Sequence, residues 1–348
     1  MKKFVIFSVL TCMLALAGCS SQSAAPQGNS SSGGNSGGGQ TAVEKKVVKL
    51  AVVTAQERSL TKGLVKFGEV LEKESGGAFK VEVYADGKLG GDRAVFDAMK
   101  VGTIQGSTMS SGPIAVDVPR FTALDLPFLF KDEKTAYEIL DGPIGKELLD
   151  ELPAAGVIGL NYWENGFRNL TNNKRDVKTV DDIKGLKIRT LENELHIDMW
   201  KEMGATPTPM AFTELFTALE QHVVDGQENP AGNVTSSKFY EVQKYYTKTG
   251  HVYNASPFLL SKKFWDSLSD QEKEWVKKAA DEAKDYQRQL NQEETKQAEE
   301  YLANNGMTVT ELTAEEKQRF FDAMKPIYDK YATKLGEDLV NKLREANK

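Results

Sequence analysis

The chain has 348 residues, of which 40% are hydrophobic, 9% aromatic and 27% charged, the balance of a soluble globular protein long enough for two domains. Lys and Arg total 44 against 50 Asp and Glu, and without Lys2 and Lys3 the remainder carries 42 against 50, a net charge of −8. An acidic body with no long basic run argues against nucleic acid as a partner. Both cysteines, Cys12 and Cys19, lie near the N-terminus, so the body can hold neither a disulfide nor a thiolate metal site.

The first forty residues read as an address and a tether. Lys2 and Lys3 precede an apolar stretch, 4–17, that is too short to span a bilayer comfortably and ends in Leu16-Ala17-Gly18-Cys19. Its length and small residues fit a secretory signal over 1–18. A cysteine directly after Leu-Ala-Gly resembles the lipobox of bacterial lipoproteins, which implies cleavage before Cys19 and lipidation of its thiol. The alternative is an ordinary signal peptide in which Cys19 is incidental. Residues 20–43 contain seven Ser and six Gly and no charge, a composition that behaves as a flexible spacer. Lipidated Cys19 plus the 19–43 linker would hold the body just outside the cytoplasmic membrane. Gly34-Asn35-Ser36-Gly37-Gly38 matches a hydrolase nucleophile pattern, but no strand precedes it and no helix follows, so the match is spurious.

The body alternates between strand and helix patterns. Strands are expected at 47–54, 79–84, 157–163 and 186–190, and helices at 60–74, 93–100, 195–203 and 212–222. That alternation argues for α/β layers with largely parallel sheets. Further on, Ser269-Asp-Gln-Glu272 is a capping box. Trp275, Ala279, Ala283, Tyr286 and Leu290 then recur at the spacing of one helical face. The pattern persists to Gly306, and a helix of about 35 residues would run on the order of 50 Å, enough to lie across two domains. Two helices broken near Asn291 is the other reading.

Catalytic constellations are mostly absent. His196, His222 and His251 have no metal-ligand spacing and no neighbouring cysteine, so no metal is expected. No phosphate-cradling glycine pattern follows a strand, and no cofactor is indicated. Fifty carboxylates produce chance pairs anywhere and nominate no acid/base couple.

What stands out is polar residues in places that usually bury apolar ones. Arg189 ends Gly185-Leu-Lys-Ile-Arg189, where a strand should finish and α/β ligand clefts form. Its planar fork matches a carboxylate in two parallel hydrogen bonds, although an exposed surface arginine would read the same way. Trp163-Glu-Asn-Gly-Phe-Arg168 offers a second arginine flanked by aromatics, just past another strand. Pro207-Thr-Pro-Met-Ala-Phe212 enters a helix rigidly and presents Phe212, and Asp225-Gly-Gln-Glu-Asn229-Pro clusters amide and acid groups. Each alone could be a turn or a cap.

Together and in order, DLPFLF (125–130), WENGFRNLT (163–171), GLKIRT (185–190), PTPMAF (207–212), DGQENP (225–230) and KFYEVQKY (238–245), with GKLGGDR (87–93), resemble the extracytoplasmic solute receptors of tripartite ATP-independent periplasmic (TRAP) transporters, DctP type. The likeness runs from about Val47 to the long helix and weakens after Gly306. It implies an α/β, two-lobe periplasmic-binding-protein-like fold with a long C-terminal helix spanning both lobes. Lobe I would be 44–166 plus 254–294, and lobe II 167–253 plus 295–348. The family's carboxylate-pairing arginine maps onto Arg189, a second ligand-contacting arginine onto Arg168, the packing aromatic onto Phe212 and the amide onto Asn229. Asp92 matches a position that contacts ligand in the sialic-acid receptors. Those receptors carry charged residues where this chain has Ser110 and Pro113, which makes sialic acid a poor fit. The run 190–196 looks like members that bind sugar acids and brings Glu192, Asn193 and His196 under consideration; a helix-start cap explains them equally well.

The resemblance implies capture of a small organic acid, a uronate, an aldonate or a C4-dicarboxylate, and delivery to the membrane subunits of a TRAP transporter. Ligand hydroxyls would use Asn229, Glu164 and Asn165, with Phe212 or Trp163 covering apolar ring faces. Two rivals stay open: a receptor serving an ABC importer or a sensor kinase, and a lipid-anchored enzyme acting on sugar acids.

Overall fold

A computed structural model describes residues 45–347. The signal, Cys19 and the spacer lie outside the described residues.

Nine strands form one sheet: β1 (Lys46–Ala51), β2 (Phe79–Tyr84), β3 (Gly106–Thr108), β4 (Val157–Asn172), β5 (Lys187–Thr190), β6 (Thr206–Pro209), β7 (Gly226–Asn229), β8 (Tyr245–Ser261) and β9 (Thr308–Glu311). Their order is β2-β1-β3-β8-β4-β7-β5-β6, with β9 beside β8. β1 pairs in parallel with β2 and β3, and β5 pairs in parallel with β6 and β7. Between these two parallel groups runs the antiparallel pair β4–β8, from Val157↔Ser261 to Asn172↔Tyr245. β8 pairs with β3 of the first group and β4 with β7 of the second, so the two long strands together join the groups. The mixed sheet corrects the expectation of largely parallel pairing.

Both long strands differ from their sequence reading. The expected strand 157–163 continues to Asn172, so Arg168 lies within β4 rather than past it. Gly166 holds φ at +113°, open to glycine without strain, and the register shifts between Glu164 and Gly166. The strand survives its glycine by bulging. β8 escapes a pattern search because Thr247, Thr249, His251, Asn254 and Ser256 are buried in it, so polarity does not alternate. Prolines 207 and 209 are tolerated in β6 because it is the edge strand. Phe212 opens a short 3₁₀ turn rather than a full helix, and the α-helical part is Leu215–Glu220.

The helix Asp270–Asn304 is continuous for 35 residues, which removes the reading of a break near Asn291. Ser269 and Glu272 form the capping box at its start. Its buried stripe includes Val276, Ala279, Ala283, Gln287, Asn291, Ala298 and Leu302, while Tyr286 is exposed. Polar residues occupy the middle of that stripe because the helix crosses the irregular centre of β4 there. Gln287 Nε2 donates to the Glu164 carbonyl at 2.7 Å, and its Oε1 accepts from the Glu164 amide at 2.9 Å. Ser59, which opens helix α1 (Ser59–Glu74), donates to Asn291 Oδ1 at 2.8 Å. Gln287 thereby pairs strand backbone groups where the register shifts.

Gly226 in β7 sits so close to β4 that an added Cβ would lie 2.1 Å from the Thr171 carbonyl oxygen. No side chain yields there, since the obstacle is backbone. Gly226→Ala should cost about 3 kcal/mol and lower the melting temperature measurably in a calorimetric scan; an unchanged midpoint would mean the strands separate freely at this point.

Candidate functional site

The C-terminal ends of β1, β3, β5 and β7 converge on one cavity, the place where α/β sheets gather ligand groups. β1 and the turn after it contribute Val52 and Thr54, and β3 contributes Thr108, followed by Met109 and Ser110. Asp92, first residue of helix α2 (Asp92–Val101), closes one side. From the other parallel group come Leu191, Phe212 and Asn229, with Asn233 on the helix Ala231–Ser236. Asn165, at the bulge of β4, forms part of the wall. The volume is about 20 Å³, enough for a water or two.

Arg189 stands next to this cavity, at the end of β5, and is 1% exposed. Its Nε and Nη2 donate to the Met210 carbonyl at 3.0 and 2.6 Å, and Nη1 has no partner. The guanidinium lies 6.0 Å from the centre of the Phe212 ring. It makes no ion pair with any described residue. Burial and then the charge of Arg168 lower its pKa to about 10, leaving it cationic at neutral pH.

Arg168 is the opposite case. Its Nε and Nη2 grip the Glu228 carboxylate, Nη2 at 2.7 Å from Oε1, and Nη1 donates to Asn254 Oδ1 at 3.0 Å. His251 Nε2 lies 3.1 Å from Glu228 Oε2, and its Nδ1 lies 2.7 Å from the Thr249 hydroxyl. Burial lowers the His251 pKa, so the neutral ring donates from Nε2 and accepts at Nδ1. Burial pushes the Glu228 carboxyl up, but Arg168 and the His251 hydrogen bond outweigh it and hold it well below the usual range. Arg168 is therefore neutralised within the protein and does not line the cavity, where the sequence reading had it contact ligand.

Five expected site residues line the cavity: Asp92, Ser110, Asn165, Phe212 and Asn229. Besides Arg168, two more do not line it. Trp163 packs against Phe258 in the apolar core and donates from its ring nitrogen to Asn161 at 2.9 Å. Glu164 faces the opposite side of the sheet, one strand step from its neighbours, and accepts from Tyr137. Neither is placed to meet a ligand hydroxyl or ring. Asn193 caps the helix Glu194–Glu202 through Leu195 N at 2.7 Å, and buried His196 bonds Asp125 at 3.0 Å. Asn193 and Glu192 line a separate groove of about 620 Å³. Thr108, Asn233, Glu228 and His251 were missed; only Asn233 carried a signal, one helical turn after Asn229.

The chain matches the family described as bacterial extracellular solute-binding protein, family 7 (DctP), over residues 50–334. The chain belongs to this family. A DctP protein of Advenella mimigardefordensis, solved in complex with galactonate, is 41% identical and superposes with a TM-score of 0.86, covering 88% of this chain and 98% of that one. A TRAP periplasmic solute-binding protein of Polaromonas, bound to D-erythronate, is 37% identical with a TM-score of 0.84, covering 86% and 98%. The C4-dicarboxylate-binding periplasmic protein DctP of Rhodobacter capsulatus is 34% identical over 304 residues, 86% of this chain and 90% of that protein. This DctP-family chain is thus an extracytoplasmic solute-binding receptor with the periplasmic-binding-protein fold, and not an enzyme.

Removing one partner of a buried ion pair strands the other. Glu228→Ala should accordingly destabilise the fold by about 3–5 kcal/mol in denaturant titration, and Glu228→Gln by less. Asp92 provides a pH signature. Burial raises its pKa to about 7, Arg189 opposing and Glu192 adding. Between the ordinary aspartate value and about 7 the folded state then holds the extra proton, so this group's contribution to stability falls as pH rises. Asp92→Asn should gain stability over wild type more at pH 8 than at pH 5; equal gains at both would contradict that.

Proposed function

We propose that this receptor captures a small organic acid, a sugar acid or a C4-dicarboxylate, by seating its carboxylate on Arg189 between two lobes. The lobes are 44–166 plus 254–294 and 167–253 plus 295–348, with β4, β8 and the long helix running between them. The observation that carries this reading is the buried Arg189 guanidinium, which has an unpartnered Nη1 and forms no direct ion pair with any described carboxylate. A buried cation without an anion is costly, and it cannot relieve the cost by losing its proton at neutral pH. A ligand carboxylate supplies the missing charge in charge-assisted hydrogen bonds. Phe212 borders the same point and Asn229 offers an amide.

A cavity of about 20 Å³ is far below the roughly 300 Å³ or more of common ligand sites. Admission then requires the two walls to part, and ligand draws them together again. The relatives' ligands support an acid: galactonate and D-erythronate in two, a C4-dicarboxylate in the third. The loaded receptor delivers its acid to the membrane subunits of a TRAP transporter. Among the described residues no helix is long and apolar enough to cross a membrane; in this reading Cys19, lipidated after cleavage of 1–18, tethers the body to the membrane through the 19–43 linker.

Arg189→Ala should reduce affinity for any bound acid by at least roughly a hundredfold in calorimetry, with the fold intact by circular dichroism. Arg189→Lys should be nearly as poor, since an ammonium cannot reproduce the fork. Near-normal affinity in the alanine variant would refute the assignment.

A further inference from the structure

The polar atoms facing the cavity divide unevenly between donors and acceptors. Their polarity is set by a relay that begins well away from it. Gln243 Nε2 donates to the carbonyls of Val242 and Asp225, at 3.0 and 3.4 Å. Carbonyls only accept, so the Gln243 oxygen must face the other way, and there it accepts from the Thr171 hydroxyl at 2.9 Å. Thr171 Oγ1 in turn accepts from Gln227 Nε2 at 2.9 Å, Gln227 Oε1 accepts from Asn229 Nδ2, and Asn229 Oδ1 accepts from Asn233 Nδ2 at 3.0 Å. Each amide is oriented by the one before it. The relay ends at Asn233 Oδ1, which is buried and has no donor.

Other cavity groups lean the same way. Asn254 Oδ1 is fixed as an oxygen by Arg168 Nη1, and Ser110 spends its hydroxyl hydrogen on it at 2.8 Å. Thr108 donates to the Ser256 carbonyl at 3.4 Å. Asp92 is 9% exposed and accepts no hydrogen bond from any described residue. Against these acceptors stand one unpartnered cationic donor, Arg189 Nη1, and the second amide hydrogens of Asn165, Asn229 and Asn233, which are neutral.

Resting on the receptor reading above, we propose that the site selects polyhydroxylated monocarboxylates over dicarboxylates, with Asp92 and Asn233 as the specificity-determining acceptors of ligand hydroxyls. A hydroxyl brings a proton to each acceptor; an ionised carboxylate brings none. A second carboxylate on the ligand meets Asp92, increasingly ionised as pH rises past about 7, the lone pairs of Ser110 and Asn233 Oδ1, and no second free cation among the described residues. An alkanoate lacking hydroxyls leaves the same acceptors unpaired, the situation in which polar sites discriminate most strongly.

The test is calorimetric titration of the purified protein with D-galactonate, succinate and hexanoate. Galactonate should bind at least roughly a hundredfold tighter than either of the others. Asp92→Asn, nearly isosteric, should narrow the galactonate-to-succinate ratio by about tenfold or more, weakening galactonate and strengthening succinate. Asn233→Leu should weaken galactonate more than succinate; if that variant does not fold, Asp92→Asn decides. Succinate binding as tightly as galactonate, or a ratio that Asp92→Asn leaves unmoved, overturns the selection while leaving the receptor reading in place. Binding of none of the three acids overturns both.

Discussion

Two buried arginines share one region of this molecule, and their unequal neutralisation organises everything around them. Arg168 has Glu228 clamped to it, and Glu228 is itself held by His251. Arg189 has only the Met210 carbonyl, a dipole rather than a charge. The two cations also repel each other, which is part of why the Arg189 pKa falls to about 10. Without Glu228 the protein would carry two buried charges lacking a direct ion pair, at a cost of about 3–5 kcal/mol. With it, a single positive charge is left over, and it stands beside the cavity. The internal salt bridge thus does more than stabilise: it limits the site's demand to one anion.

The same economy governs the crossing of β4 and β8. These strands must carry the chain between two parallel groups, and β4 bulges at Gly166 where it passes under the long helix. A bulge frees backbone groups that burial cannot leave unpaired. Gln287 pairs the freed Glu164 backbone groups from the helix and Asn291 accepts from Ser59, which explains why a stripe that should be apolar turns polar at its middle. At this crossing a side-chain amide, rather than a ladder bond, joins the helix to the strand backbone.

Much of this was legible in the sequence, and the failures share a cause. The capping box and the Trp275–Ala283 spacing announce the long helix because it lies on the surface of the sheet and keeps one polar face. Asp92, Ser110, Asn165, Phe212 and Asn229 were named through resemblance, and the strand-end position of Arg189 through the logic of α/β clefts. The sequence reading ends β4 at 163 and so does not apply the alternation of faces that puts Trp163 in the apolar core and Glu164 away from the cavity. β8 was missed, and with it His251, because a strand whose buried residues are Thr, His and Asn has no hydrophobic period to read. Glu228 looked like one acid among fifty. Its role lies in a contact with Arg168, sixty positions earlier in the chain, which no local pattern encodes.

The closeness of the walls follows from the same balance. Two hydrogen bonds tie segments on either side of the cavity: Asn193 to the Gly112 carbonyl at 3.3 Å, and His196 to Asp125 at 3.0 Å. They favour approach of the walls, whereas enclosing an unneutralised Arg189 opposes it. In the proposed reading, a ligand carboxylate on Arg189 removes the opposing tendency. In that reading the ligand's charge drives closure, and its hydroxyls, read by acceptors whose polarity is set from Gln243 inward, select the acid.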